Sequence, residues 1–258
     1  MSANNDTVRK TILVTVLLCV VCSVVVSSAA VMLKPLQVAN KELDRKSNIL
    51  AAAGISDPNK SVDELFAQIT TRYVDLRTGK FVDMPPGYDP AKAAKDPKRN
   101  IELSRKEDRA GIKTIAPVQP VYLVQGAGGT IEKLILPVHG KGLWSTLYGF
   151  LALEGDLNTI VGLGFYSHAE TPGLGGEVDN PAWKALWPGK KVYGEDNATP
   201  MIRLIKGSVD ASTADAEHKV DGLSGATLTS NGVTNLIQFW MGENGYAPFL
   251  NNLRAGEA

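Results

Sequence analysis

The 258-residue sequence predicts an α+β domain with a twisted, mostly antiparallel sheet, carried behind one N-terminal membrane-spanning helix. Three observations predict it. Residues 11–33 contain no charged side chain. Beyond residue 113, short apolar and β-branched runs alternate with Gly-rich turns, the pattern of strands joined by hairpins. Helix-start and helix-stop signals gather toward the two ends of the soluble part. The 27 Lys+Arg balance the 27 Asp+Glu, and 44% of residues are apolar, which suits a body with a real core and excludes a strongly basic nucleic-acid binder. Both cysteines, Cys19 and Cys22, fall in the apolar run. A disulfide scaffold and a Cys-ligated metal in the soluble body are therefore excluded.

About 20 apolar residues at a rise of 1.5 Å each cross a hydrocarbon core of roughly 30 Å, and residues 11–33 meet that length with only Ser and Thr as polar interruptions. A cleaved signal peptide is the competing reading, since Arg9 and Lys10 form a basic front and Ser27-Ser28-Ala29-Ala30 offers small residues. A signal's apolar core runs about 7–15 residues, so the length favours a retained anchor. Arg9 and Lys10 precede the span, while Lys34, Lys41, Arg45 and Lys46 follow it; charge leaves the side of the membrane open. Cys19 and Cys22 read as small apolar residues of this helix.

Residues 38–53 predict a helix continuing away from the membrane after Pro35, stopped by Gly54. Ser61-Val-Asp-Glu64 is a capping box opening a helix to about Thr71. Strands follow at 72–76 and 80–82, across Thr78-Gly79. The Pro- and charge-rich stretch 85–100 reads as an exposed insertion with one helical turn. Residues 118–124 and 131–138 form a hairpin around a Gly-rich turn that has neither dinucleotide nor phosphate-loop spacing. Further strands are expected at 148–153, 159–166 and 201–206, a Trp-rich turn or helix at 181–187, and a final helix at 230–241. The organisation is then residues 1–10 before the membrane, 11–33 within it, a helical arm and insertion over 34–112, and a domain over 113–258.

Three segments concentrate small and polar residues: His139-Gly-Lys-Gly-Leu-Trp144, His168-Ala-Glu-Thr-Pro-Gly-Leu-Gly-Gly-Glu177 and Asp221-Gly-Leu-Ser-Gly-Ala-Thr-Leu-Thr-Ser-Asn231. In the third, Gly222, Gly225 and Ala226 allow close backbone approach, and the hydroxyls of Ser224, Thr227, Thr229 and Ser230 crowd the entrance to the last helix. A helix N-terminus offers unpaired amides and a partial positive charge to a phosphate. The alternative, that Thr229 or Ser230 merely caps the helix, stays open on composition. Gly222-Leu-Ser-Gly225 lacks the spacing of a nucleophile elbow, the three histidines have no metal spacing, and His168 with Glu170 is not a helical pair. No catalytic residue and no metal ligand is assigned.

Asp221-Gly-Leu-Ser-Gly-Ala-Thr227 resembles the motif in which FMN is joined by a phosphoester to the last threonine. With Glu170-Thr-Pro-Gly-Leu-Gly175, Gly140-Lys-Gly-Leu-Trp144 and the single N-terminal membrane helix, the whole chain resembles the C subunit of the sodium-translocating NADH:quinone oxidoreductase. The G subunit of the ion-translocating ferredoxin:NAD oxidoreductase shares motif and topology, but Leu136-Pro-Val-His-Gly140, Asn180-Pro-Ala-Trp183 and the insertion at 85–112 favour the quinone-reductase family. A tethered binding domain without enzymatic activity is the alternative from another class. The resemblance implies a periplasmic FMN-binding domain on an inner-membrane anchor, covalent FMN on Thr227, electron relay from NADH toward ubiquinone, and sodium export. It implies as partners the other subunits of a respiratory complex and a flavin transferase. Around Thr227, Ser224, Gly225 and Ala226 form the attachment turn, and Asp221 is expected to serve the transferase. Trp144 and Leu174 are expected to wall the isoalloxazine, Thr171 and Gly173 to donate to it, and Lys206 to neutralise the phosphate.

Overall fold

The computed structural model describes residues 7–258. They divide into two units, the helical stretch up to Asp44 and a compact body, Arg45–Ala258. The first helix, α1, runs unbroken over Val8–Ala52 with Pro35 inside it, and it is long and apolar enough to cross a membrane. The helix expected to continue away from the membrane after Pro35 is the same unbroken element. An interior proline removes one hydrogen bond and crowds the preceding turn, but apolar helices tolerate it, and residues 41–52 are rich in strong helix formers.

The body is built on a six-stranded antiparallel sheet. Its strands are β1 (Ile69–Asp75), β2 (Lys80–Val82), β5 (Val118–Gln125), β6 (Ile131–Lys141), β7 (Thr146–Glu154) and β8 (Ile160–Ser167), in the order β2-β1-β5-β6-β7-β8. The hairpins expected from the alternation are present, with Leu134 opposite both Leu123 and Leu153. A two-stranded pair, β3 (Ile101–Glu102) with β4 (Thr114–Ile115), borders the end of the 85–112 region. Residues 45–112 belong to the same compact unit as the rest, because β1 pairs with β5 along its whole length.

The capping box is formed: Ser61 Oγ accepts the Glu64 N–H and the Glu64 carboxylate accepts the Ser61 N–H. The helix it opens, α2 (Val62–Phe66), is shorter than expected. The β-branched run Ile69-Thr70-Thr71 goes to β1 instead, where such side chains fit a pleated surface. Insertion helix α3 (Pro90–Ala93) is the single turn anticipated, started by the Asp89 carboxylate.

Each face of the sheet carries a core. Ile49, Leu50, Ala52 and Ala53 at the end of α1 pack with Leu65, Tyr122, Ile135, Phe150 and Ala152 on one side. The alternate residues Leu134, Leu136, Val138, Leu147 and Leu151 face the larger core, which contains Val233, Leu236, Ile237 and Trp240 of helix α5 (Thr227–Trp240). Helices α4 (Pro181–Lys184) and α6 (Ala247–Ala255) are the remaining α-helices among the described residues. α6 goes beyond the elements expected from sequence, although Pro248 in its first turn and Gly256 at its left-handed stop are the usual start and stop chemistry.

Two glycines bring α5 close to the sheet. A Cβ at Gly140 would stand 2.4 Å from Leu236 Cβ, and one at Gly232 would stand 2.4 Å from the Lys141 carbonyl oxygen. The short parallel pair β9 (Arg203–Ile205) and β10 (Lys219–Asp221) flanks the helix, and the Leu204 N–H donates to Thr234 Oγ1 at 3.0 Å. Bare backbone at the contacts thus fixes where the N-terminus of α5 lies.

Candidate functional site

The last helix begins three residues before the expected Ser230, so Thr227 is its first residue. The N-cap position is Ala226, and no side chain caps the helix. The capping reading of Thr229 or Ser230 is therefore overturned. The Thr229 hydroxyl donates to Glu170 Oε2 at 2.6 Å, and the residue is 0% exposed. Ser230 Oγ accepts the Leu223 N–H at 2.9 Å and donates to the Ala226 carbonyl at 3.1 Å. Their hydroxyls are used inside the fold, whereas Thr227 and Ser224 are exposed.

Beside this turn lies an open cleft of about 520 Å³, lined among others by Leu204, Lys206, Asp221, Ser224 and Thr227. Gly222 lets the two banks approach, since a Cβ there would fall 2.3 Å from the Ile205 carbonyl oxygen. Gly225 has φ +69°, a left-handed conformation that glycine adopts without strain, and Leu174 Cδ2 lies 3.0 Å from where its Cβ would be. Lys206 is exposed. The Asp221 carboxylate accepts the Val209 N–H at 2.8 Å, and its carbonyl accepts Trp183 Nε1–H at 3.0 Å, so Asp221 ties down the far bank.

Trp144, Thr171, Gly173 and Leu174 do not line the cleft; they lie on two loops beside it. Trp144 is 67% exposed and Leu174 44%. The Thr171 carbonyl accepts the N–H groups of Leu174 at 3.1 Å and Gly176 at 2.8 Å, and Gly173 turns with φ +75°. Leu143 and Leu228 are further exposed apolar side chains of these segments that the sequence alone does not single out.

The residue joining the loops is Glu170, which in the sequence is merely the first letter of a motif. It is 5% exposed. Its carboxylate accepts the backbone N–H groups of Leu143 at 3.1 Å, Trp144 at 3.0 Å and Ser145 at 3.2 Å, besides the Thr229 hydroxyl. Burial alone would raise its pKa; the Thr229 hydroxyl and the three amides outweigh burial and hold it below the ordinary carboxylate value. Gly142 and Gly175 leave room for the carboxylate, since a Cβ at either would approach it to 2.6 and 2.9 Å. A glutamate between Gly-rich segments is the only sequence signal, and it does not distinguish a buried acid from a surface one.

The histidines are structural. His168 Nδ1 accepts the Glu170 N–H at 3.2 Å, which leaves Nε2–H to donate to Asp179 Oδ2 at 2.8 Å. His139 stacks on Tyr148 and meets Trp240, and burial pushes its pKa down to about 4.

An exposed hydroxyl at an uncapped helix start, beside a glycine turn, a cleft and a lysine, suits a flavin nucleotide held by its phosphate. Residues 142–242 match the family described as the FMN-binding domain, a span that opens on the Glu170-bound loop and closes just after α5. The fold and site therefore define an FMN-binding flavoprotein domain behind an apolar helix. The chain is 55% identical to the C subunit of the Na(+)-translocating NADH-quinone reductase of Pseudomonas aeruginosa, across 99% of this chain and 100% of that one. It is 46% identical to the corresponding protein of Pasteurella multocida, across 99% and 98%. A crystal structure of Shewanella oneidensis NqrC superposes with a TM-score of 0.77 at 35% identity, covering 84% of this chain and 99% of that one. The chain belongs to the family of the Na(+)-translocating NADH-quinone reductase C subunits.

Proposed function

We propose that this chain carries FMN as a phosphoester on Thr227 and relays electrons from NADH toward ubiquinone within a membrane complex that exports sodium. The observation that carries the attachment is the exposed Thr227 hydroxyl at the first position of a helix with no side-chain cap. A helix start holds a partial positive charge and unpaired amides, so the phosphate oxygens find donors where the ester forms. Lys206, on the opposite bank of the cleft, adds a full positive charge. Ser224, Gly225 and Ala226 keep the turn free of bulk, and Gly225 brings Leu174 close to it.

Trp144 and Leu174 supply apolar walls for the ring system, with Thr171 and Gly173 as donors at its edge. The isoalloxazine supplies the redox chemistry when bound. The tether lowers the entropic cost of holding it, so an exposed site does not need tight non-covalent contacts. Asp221 shapes the motif that a separate flavin transferase reads. Helix α1 anchors the protein in the inner membrane, the body lies in the periplasm, and the partners are the other subunits of the complex.

Co-expressed with its flavin transferase and run on a denaturing gel, the protein is expected to give a fluorescent band that Thr227→Val abolishes. A dark wild-type band beside demonstrated transferase activity would sink the covalent attachment and favour a tethered binding domain. For the topology, a compartment-sensitive reporter fused after Ala258 is expected to be active only outside the cytoplasm.

A further inference from the structure

Resting on the flavin-site reading above, we infer that Glu170 is a positioning residue: its carboxylate fixes the loop carrying Trp144 to the helix carrying Thr227. The loop 142–145 joins β6 to β7, while Thr227 and Thr229 belong to α5. The hydrogen bonds linking that loop to Thr229 pass through one carboxylate. Oε1 accepts the Trp144 and Ser145 amides, and Oε2 accepts the Leu143 amide and the Thr229 hydroxyl. Three consecutive amides converging on a carboxylate make a nest that an anion alone satisfies fully. A neutral amide side chain would have one oxygen to accept with and would turn two N–H donors toward donors.

The surroundings of Glu170 are equally constrained. Ser145 Oγ accepts the Ala169 N–H at 2.7 Å, so the loop is also stitched to the residue preceding Glu170. Gly175 closes the other side, where a Cβ would stand 2.5 Å from Thr229 Oγ1. Trp144 itself projects 67% exposed, held through its backbone rather than through packing of its ring. Its direction therefore depends on the Glu170 nest. Because the carboxylate stays ionised, it also places a fixed negative charge behind the site, which opposes addition of electrons to a group bound there.

The test uses the full chain in detergent micelles, wild type against Glu170→Gln, with Thr229→Val and Thr229→Ser as a milder pair. Without flavin, amide hydrogen exchange at Leu143, Trp144 and Ser145 is expected to accelerate about tenfold or more in Glu170→Gln. Thr229→Val should move it in the same direction and Thr229→Ser should restore it. In the flavinylated protein, attachment at Thr227 should persist, flavin quenching of Trp144 fluorescence should fall, and the flavin midpoint potential should rise. Unchanged exchange in both Glu170→Gln and Thr229→Val would overturn the proposal. Faster exchange with unaltered Trp144 quenching and unaltered potential would reduce Glu170 to a fold-stabilising residue and overturn it too. Should Glu170→Gln not fold, the Thr229 pair carries the exchange and Trp144-quenching readouts, since both variants keep the Glu170 charge. If the wild type takes up no flavin beside active transferase, the flavin-site reading itself has failed, and the exchange data still report separately on the nest.

Discussion

Thr227 and Thr229 lie on the same turn of α5 and carry the same hydroxyl, yet the fold uses them oppositely. Thr227 stands exposed at the cleft with Ser224 and Lys206, and Thr229 is fully buried with its hydroxyl donated to Glu170. Two residues on a helix differ by about 200° of rotation, so one faces the ligand side and the other faces the loops. Access, not chemical type, separates a candidate attachment hydroxyl from a structural one. Ser230 makes the same point from a third direction, because its hydroxyl accepts the Leu223 N–H and donates to the Ala226 carbonyl.

The comparison breaks most severely at Gly175. A methyl there would lie 2.5 Å from Thr229 Oγ1 and 2.9 Å from Glu170 Oε2, and neither atom can retreat without losing its bond. Gly175→Ala should cost about 2–3 kcal/mol, read as a lowered midpoint in chemical denaturation. A change within error would mean that the buried side is looser than its geometry indicates.

The two threonines sharpen the contrast directly. Thr229→Val leaves a buried carboxylate without one donor and should cost about 1–3 kcal/mol. Thr227→Val, at an exposed position, should stay within about 0.5 kcal/mol while losing the flavin. Equal stability losses in the two variants would erase the distinction between the sides.

The smallest expected effect is on pH dependence. The folded-state pKa of Glu170 is depressed below its ordinary 4.5, so the unfolded chain binds the proton more readily. The associated stability is fully present above pH 4.5 and is lost as pH falls through the depressed value. Denaturation midpoints of wild type and Glu170→Gln should therefore converge on acidification below that pH; a constant gap would contradict an ionised Glu170.

Much of this is legible in the sequence, and particular residues show why the rest is not. The strands 131–138 and 148–153 are readable because Leu134, Leu136 and Val138 alternate with residues of the other face. The motif nominates Thr227, and its hydroxyl stands exposed at the cleft on the first residue of α5. Glu170 is not legible in this way, since its partners are backbone amides some 25 residues upstream and a helix that follows much later, and no local pattern encodes that meeting. Pro35 is a strong local breaker, yet α1 runs through it without a break. Ser and Thr are good caps, which draws the expected start of α5 to Ser230, whereas the fold employs those hydroxyls in its interior.

The most direct measurement of the central claim is fragment-ion mass spectrometry of the peptide spanning residues 220–254, taken from protein co-expressed with its flavin transferase. The predicted result is the mass of FMN less one water on Thr227, with Ser224, Thr229 and Ser230 unmodified. An unmodified peptide beside demonstrated transferase activity, or flavin on Ser224 or Thr229, would contradict it.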